Sequence, residues 1–219
     1  MNTNSTLNKT RIFEFAAVGV TVIGKYIFMD LLDWRLAFIL TATVFWVGYL
    51  IFQSKRNPES IKRWGFRTDN FRKVLQMILP FGIICLITFI GIGLYQNTIN
   101  LTWHIIPILL LYPIWGVIQQ FLLIALTAGN LQDLNHPKLS KGIIITIVAF
   151  LFGLIHYPIV WLMIGCFIIA LVYGLIYLKQ RNVYVLGIFH GWLGGLFFYT
   201  VVNKDPFLDV FGPVMASLH

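Results

Sequence analysis

Charged side chains are scarce in this chain: they make up 11% of its 219 residues, against about 25% in an ordinary soluble domain. Acids are scarcer than bases, eight against sixteen, and Glu14 and Glu59 are the only glutamates. A water-facing surface of normal polarity cannot be assembled from that inventory. Cysteine is nearly absent. Cys85 and Cys166 both fall in apolar runs, where they read as small buried hydrophobes, and no disulfide framework or Cys-x-x-Cys spacing exists. Nor is there an inverted repeat or a pair of interrupted apolar segments of the kind that marks many transporters.

What the chain has instead is apolar length. It is 58% hydrophobic with a mean hydropathy of +0.82, which predicts an all-α, polytopic helical membrane bundle in a single integral domain, 1–219. Spanning the hydrocarbon core takes about 20 mostly apolar residues. By that rule there are about seven transmembrane helices, near 12–29, 35–53, 74–95, 103–127, 142–159, 161–178 and 183–202. Lys25 interrupts the first and snorkels to the interface. Lys9 and Arg11 before that run resemble a signal peptide, but no small-x-small cleavage site follows, so it is taken as a retained first span. The third run has no ionisable group and reads as packing scaffold.

The net charge of +8 invites a nucleic-acid reading, and the placement of the bases argues against it. Lys9 and Arg11, then Lys55 to Lys73, then Lys138 and Lys141, then Lys179 and Arg181 all fall on one side of seven crossings. Arg35 and Lys204 fall on the other. The positive-inside rule puts the N-terminus in the cytoplasm, and the short compact chain fits a bacterial inner membrane. Membrane lipids are therefore partners. The polar stretch 54–73 is expected to lie on the surface as a basic interfacial segment, with Trp64, Phe66 and Phe71 dipped among the headgroups.

Polar residues within the apolar runs carry the functional signal, because lipid offers them no hydrogen-bond partners. Gln119 and Gln120 sit in the fourth run, about 100° apart on a helix, and form one polar flank. Gly116 and Ile124 share the face of Gln120, and Gly116 leaves space there for another helix or a water. His156 closes the fifth run at Tyr157-Pro158. His190 lies in the seventh, where Gly187, Gly191 and Gly195 form a small-xxx-small stripe that lets helices approach closely. Gly187 and Gly194 flank His190 on its own face. The plain alternative is that the glutamines are interhelical glue worth roughly 0.6 kcal/mol each and the histidines are satisfied core residues. Trp103 and His104 begin the fourth run at the interface.

The order and spacing of these residues resemble the CAAX-type protease and bacteriocin-processing family, also called the abortive-infection family. Its members carry Glu-Glu-x-x-x-Arg, then Phe-x-x-x-His, then His-x-x-x-Asn/Asp. Here Gln119-Gln120-x-x-x-Ile124, Phe152-x-x-x-His156 and His190-x-x-x-Gly194 stand at those places, with Gly65-Phe66-Arg67 as a lead-in, and the likeness runs from about Trp64 to Tyr199. The resemblance implies a helical membrane bundle with a pocket region over 115–199 and intramembrane endopeptidase activity on a membrane-anchored peptide or lipidated tail. Carried over by position, Gln119 and Gln120 take the sites of the glutamates that activate water, and His156 and His190 keep theirs. Gly116, Phe152 and Gly194 would touch the substrate.

The substitutions change the chemistry. A neutral amide cannot take a proton from water, so a base must be titratable or metal-assisted. Catalytic zinc usually takes three protein ligands, whereas His156 and His190 supply two and His104 and His136 map near opposite faces. No metal or cofactor is expected. A histidine, ordinarily titrating near pH 6.5, is the residue type left to serve as base. Three readings follow: a divergent protease with a histidine base, a non-catalytic relative that binds a peptide or lipidated tail as a chaperone or assembly protein, and a small-molecule carrier.

Overall fold

The computed structural model describes residues 3–134 and 138–216, with side chains from Thr10 onward. It is an all-α bundle, with no strand among the described residues. Among the described residues, ten α-helices run in chain order: α1 (Thr3–Gly24), α2 (Arg35–Arg56), α3 (Pro58–Trp64), α4 (Phe71–Gln96), α5 (Ile105–Gln120), α6 (Asn130–Asp133), α7 (Lys141–Ile155), α8 (Val160–Lys179), α9 (Val183–Phe197) and α10 (Pro206–Ala216). Three stretches wind more widely as π-helix and prolong their neighbours: Lys25–Leu31 after α1, Phe121–Gly129 after α5 and Phe198–Val202 after α9. Among the described residues, six continuous helices are long and apolar enough to cross a membrane.

The fifth expected span is shorter than its apolar run. Ser140 caps α7 by accepting a hydrogen bond from the Ile143 amide at 3.3 Å, as serine does at helix starts. At the other end Pro158 excludes helical backbone from the residue before it, and the helix stops at Ile155. Fifteen residues rise about 22 Å, less than the ~30 Å of a hydrocarbon core. His156 to Ile159 form the turn, and α8 returns alongside α7.

Burial ranks the helices. Within the most apolar window of the α9 segment 67% of residues are buried, and in that of the α5 segment 50%, while those of α1 and α2 reach 11%. All nine residues from Phe121 to Gly129 are buried. The centre of the molecule is therefore α5 with its π-helical continuation, packed on α9, and α1 and α2 present most of their apolar surface outward.

The glycine stripe of α9 permits that central contact. A Cβ on Gly187 would stand 2.4 Å from Val117 Cα, and one on Gly191 would stand 2.5 Å from Pro113 N. Only hydrogens fit there. Pro113, inside α5, lacks the N–H that would reach the Leu109 carbonyl, which a membrane helix must satisfy by other means. The Trp192 indole donates to that carbonyl at 3.0 Å, so α9 repairs the defect in α5.

The loops rich in bases meet at one end. Arg181 makes a two-pronged ion pair with Asp133, at 2.7 and 3.0 Å, and donates to the Arg63 carbonyl. Arg11 donates to the Asp133 carbonyl at 2.6 Å. Asn182, fully buried, accepts from the Val185 amide and donates to the Arg67 carbonyl and the Asn70 side chain. Gly65 sits at φ +92°, where a Cβ would also strike the Arg181–Asn182 backbone at 2.9 Å. This clamp corrects one expectation: Trp64 is 2% exposed, packed against Tyr49 and Phe121, with its carbonyl held by Tyr177. Phe66 also packs on Phe121. The hydrogen bonds of the segment with its neighbouring loops pull these rings into the bundle instead of leaving them among headgroups.

The opposite end is closed by α10, which the apolar periodicity did not predict. Asp205 caps it through the amides of Phe207 and Leu208 and accepts from Thr102, Tyr199 and His104 at 2.8, 3.0 and 2.6 Å. His104 stacks on Phe207, with centroids 4.5 Å apart. It is thus a pairing residue. Burial works to raise the Asp205 carboxyl, and the hydrogen bonds from His104, Thr102 and Tyr199 outweigh it, holding the group below the ordinary carboxylate range.

Candidate functional site

The α5–α9 contact brings together residues 71 positions apart. Gln119 Oε1 lies 3.1 Å from His190 Nε2. With the amide oxygen facing the ring, Nε2–H donates and Nδ1 keeps its lone pair. That Nδ1 is buried and has no partner among the described residues. On the far side of His190 stands Phe152, whose ring centroid is 5.1 Å from the imidazole of His190 and 5.1 Å from that of His156. The Phe152 carbonyl accepts from His156 Nδ1 at 2.8 Å. A carbonyl can only accept, so the proton is on Nδ1 and Nε2 of a neutral His156 is an acceptor. Phe152-x-x-x-His156 thus forms one unit at the end of α7: the phenylalanine separates the histidines with its ring and orients one of them with its backbone.

Gln120 differs from its neighbour. It is fully buried, and neither its Nε2 nor its Oε1 finds a partner among the described residues. Leaving a buried polar atom unpaired costs about 1–3 kcal/mol. Such pairs of orphaned atoms persist where a water or a ligand group meets them, or where function retains them. The π-helical stretch begins at the next residue, Phe121, and interruptions of this kind recur at functional sites.

The remaining expected residues divide. Gly116 lies in the helix crossing, where a Cβ would be 2.4 Å from the Gly187 carbonyl oxygen. Its space is taken by helix α9, so it positions Gln119 and Gln120 instead of touching a substrate. Gly187 is likewise filled by Val117, while nothing stands within 4 Å of a Cβ on Gly194. The room beside His190 is therefore on the Gly194 side. Gln119 also lines a cavity of about 50 Å³, with Thr21, Lys25, Phe38, Trp115 and Ile155 around it. At ~30 Å³ per water, that volume suits one or two waters. Lys25, which also lines this cavity, pairs its ammonium with Asp30 at 2.7 Å. His136 lies outside the described residues. Among the described residues, no three His, Cys, Asp or Glu side chains gather as a metal site would need.

One further polar centre lies away from the motif positions. Glu14, in α1, is 4% exposed and accepts from the Tyr49 hydroxyl at 2.9 Å and from Asn130 Nδ2 at 2.6 Å. Gln53 extends the chain by donating to Tyr49 at 3.1 Å. The signal was present: an acid inside an apolar run is a functional hypothesis by default. The family resemblance points away from it, because its glutamate positions fall on α5.

No family model matches this chain, and no curated protein or solved structure matches it either.

Proposed function

We propose that this protein is an intramembrane peptide-binding protein of the CAAX-protease kind, which receives a membrane-anchored or lipid-modified peptide beside Gln119, Gln120, His156 and His190. The observations that carry the reading are the Gln119–His190 hydrogen bond and three buried polar atoms without a partner among the described residues, Gln120 Nε2, Gln120 Oε1 and His190 Nδ1. A peptide bond offers one donor and one acceptor, which is what an unpaired amide can satisfy on both sides. The bases gathered at one end support a cytoplasmic placement of that end, and the basic loops then orient the chain with its N-terminus inside.

A second reading, hydrolysis, is favoured by the free acceptors on both imidazoles. In that reaction one imidazole nitrogen takes a proton from water as the oxygen bonds to the peptide carbonyl carbon. Gln120 Nε2–H then donates to the oxyanion, and the proton passes to the departing amine. Purified protein incubated with membrane-anchored peptides distinguishes the two. Tight binding without cleavage, lost in His190→Ala and in Gln120→Leu, is the outcome expected. Cleavage abolished by His156→Ala and His190→Ala establishes the second reading. If Gln119→Ala with Gln120→Ala alters thermal stability alone, the cluster is helix glue and both readings fall.

A further inference from the structure

A second cavity lies away from that cluster. It is a groove of about 840 Å³ between α1, α2 and α3, at the end where the bases gather. That volume falls within the ~300–1,000 Å³ typical of ligand sites. We infer that this groove is a binding site for an anionic glycerophospholipid, with its phosphate among Arg11, Arg56 and Arg63 and its acyl chain along Phe13, Ala17 and Phe45.

The two zones of the groove follow from chemistry on one helix face and the next. At its polar end three guanidinium groups line the wall together with the carboxylate of Glu14. Both oxygens of that carboxylate are already engaged by Tyr49 and Asn130. Asp133, which approaches Arg63, is held by Arg181 through both oxygens. It lies 3.9 Å from Arg63, too far for a hydrogen bond. The polar end therefore carries more positive than negative charge. Arg11 is the telling residue. It is 9% exposed, donates one nitrogen to the Asp133 carbonyl, and leaves its buried Nε without a partner among the described residues. Guanidinium forks match phosphate oxygens closely, and a phosphodiester there supplies the missing acceptor.

The apolar end selects the source of the phosphate. Phe13 is 72% exposed and Phe45 58%, and both belong to helices whose surfaces face outward. The groove thus opens sideways into hydrocarbon. A free phosphate would leave that wall uncovered, whereas a lipid covers both zones at once. Basic pockets between helices at the cytoplasmic interface bind lipid headgroups by this combination.

Detergent-solubilised full-length protein titrated with dioleoyl-phosphatidylglycerol, dioleoyl-phosphatidylcholine and inorganic phosphate tests the assignment. Native mass spectrometry reads bound lipid, and thermal unfolding reads stabilisation. Phosphatidylglycerol is expected to bind at one molecule per chain and raise Tm, with phosphatidylcholine at least about tenfold weaker. Arg56→Gln with Arg63→Gln should weaken it by about tenfold or more. Ala17→Phe, which fills the apolar wall without touching a charge, should do the same, and both variants should retain the cooperative unfolding of the parent. Equal retention of the two lipids, or unchanged phosphatidylglycerol affinity in both variants, overturns the proposal. So does a phosphate titration that reproduces the full shift in Tm, which would leave an anion site with no lipid specificity.

Discussion

Gln120 sets function against stability within one side chain. Its two amide atoms are buried and unpaired, so Gln120→Leu, nearly isosteric and apolar, should stabilise the protein by about 1–3 kcal/mol while weakening peptide binding. Thermal unfolding in detergent and a peptide-binding titration check the two halves, and a variant less stable than the parent counts against an unpaired amide. Asn182 is the opposite case. It caps α9 and ties it to Arg67 and Asn70, so Asn182→Ala should destabilise by about 1–3 kcal/mol without altering peptide affinity in the protein that remains folded. Polarity inside apolar runs singled out Gln119, His156 and His190 as candidate site residues, and motif order added the family resemblance. The pairing of Gln119 and not Gln120 with His190 was not legible, since adjacent helix positions differ only by how two helices cross.

Among the elements, the α5–α9 pair decides whether the polar cluster exists. Any side chain at Gly191 meets Pro113 backbone within 2.5 Å, and backbone cannot move aside as a flexible side chain can. Gly191→Val should push α9 from α5, break the Gln119–His190 hydrogen bond and lower Tm more than the same change at Gly194, where the space is open. Paired thermal melts, with peptide binding as the second readout, test this contrast. The four-residue glycine period announced a close helix contact. It did not announce the partner, because the answering surface on α5 includes Pro113 and Val117, which no small-residue pattern marks. The shortness of α7 was hidden for a related reason: the apolar run continues through Tyr157 and Pro158, while the helix does not.

On the scale of the whole molecule, the two ends are locked by different chemistry. One is a clamp of bases around Asp133; the other gathers around Asp205. Because Asp205 titrates below the ordinary carboxylate range when folded, its stabilising contribution is complete above the unfolded value near pH 4. It disappears as pH falls through the lower, folded value. Tm should therefore drop between about pH 4 and the acid limit of the fold, and Asp205→Asn should lower Tm at neutral pH and flatten that acid dependence. Site-directed cysteine labelling from either side of a vesicle tests the orientation: residues near Lys62 and Lys179 should be reached from the cytoplasmic face and those near Lys204 from the other.

Composition and apolar run length sufficed to establish an all-α membrane bundle, because hydrocarbon accepts hydrogen-bonded helices and little else. Run length also located nearly every span, and motif order singled out the helices that carry the polar cluster. Tertiary structure alone decided which polar atoms find partners. Trp64 turns inward because neighbouring loops bond to its segment, Glu14 is buried because Tyr49 and Asn130 reach it, and Gly116 is closed because α9 lies on it. Each of these depends on contacts between residues tens of positions apart, and local periodicity carries no information about such contacts.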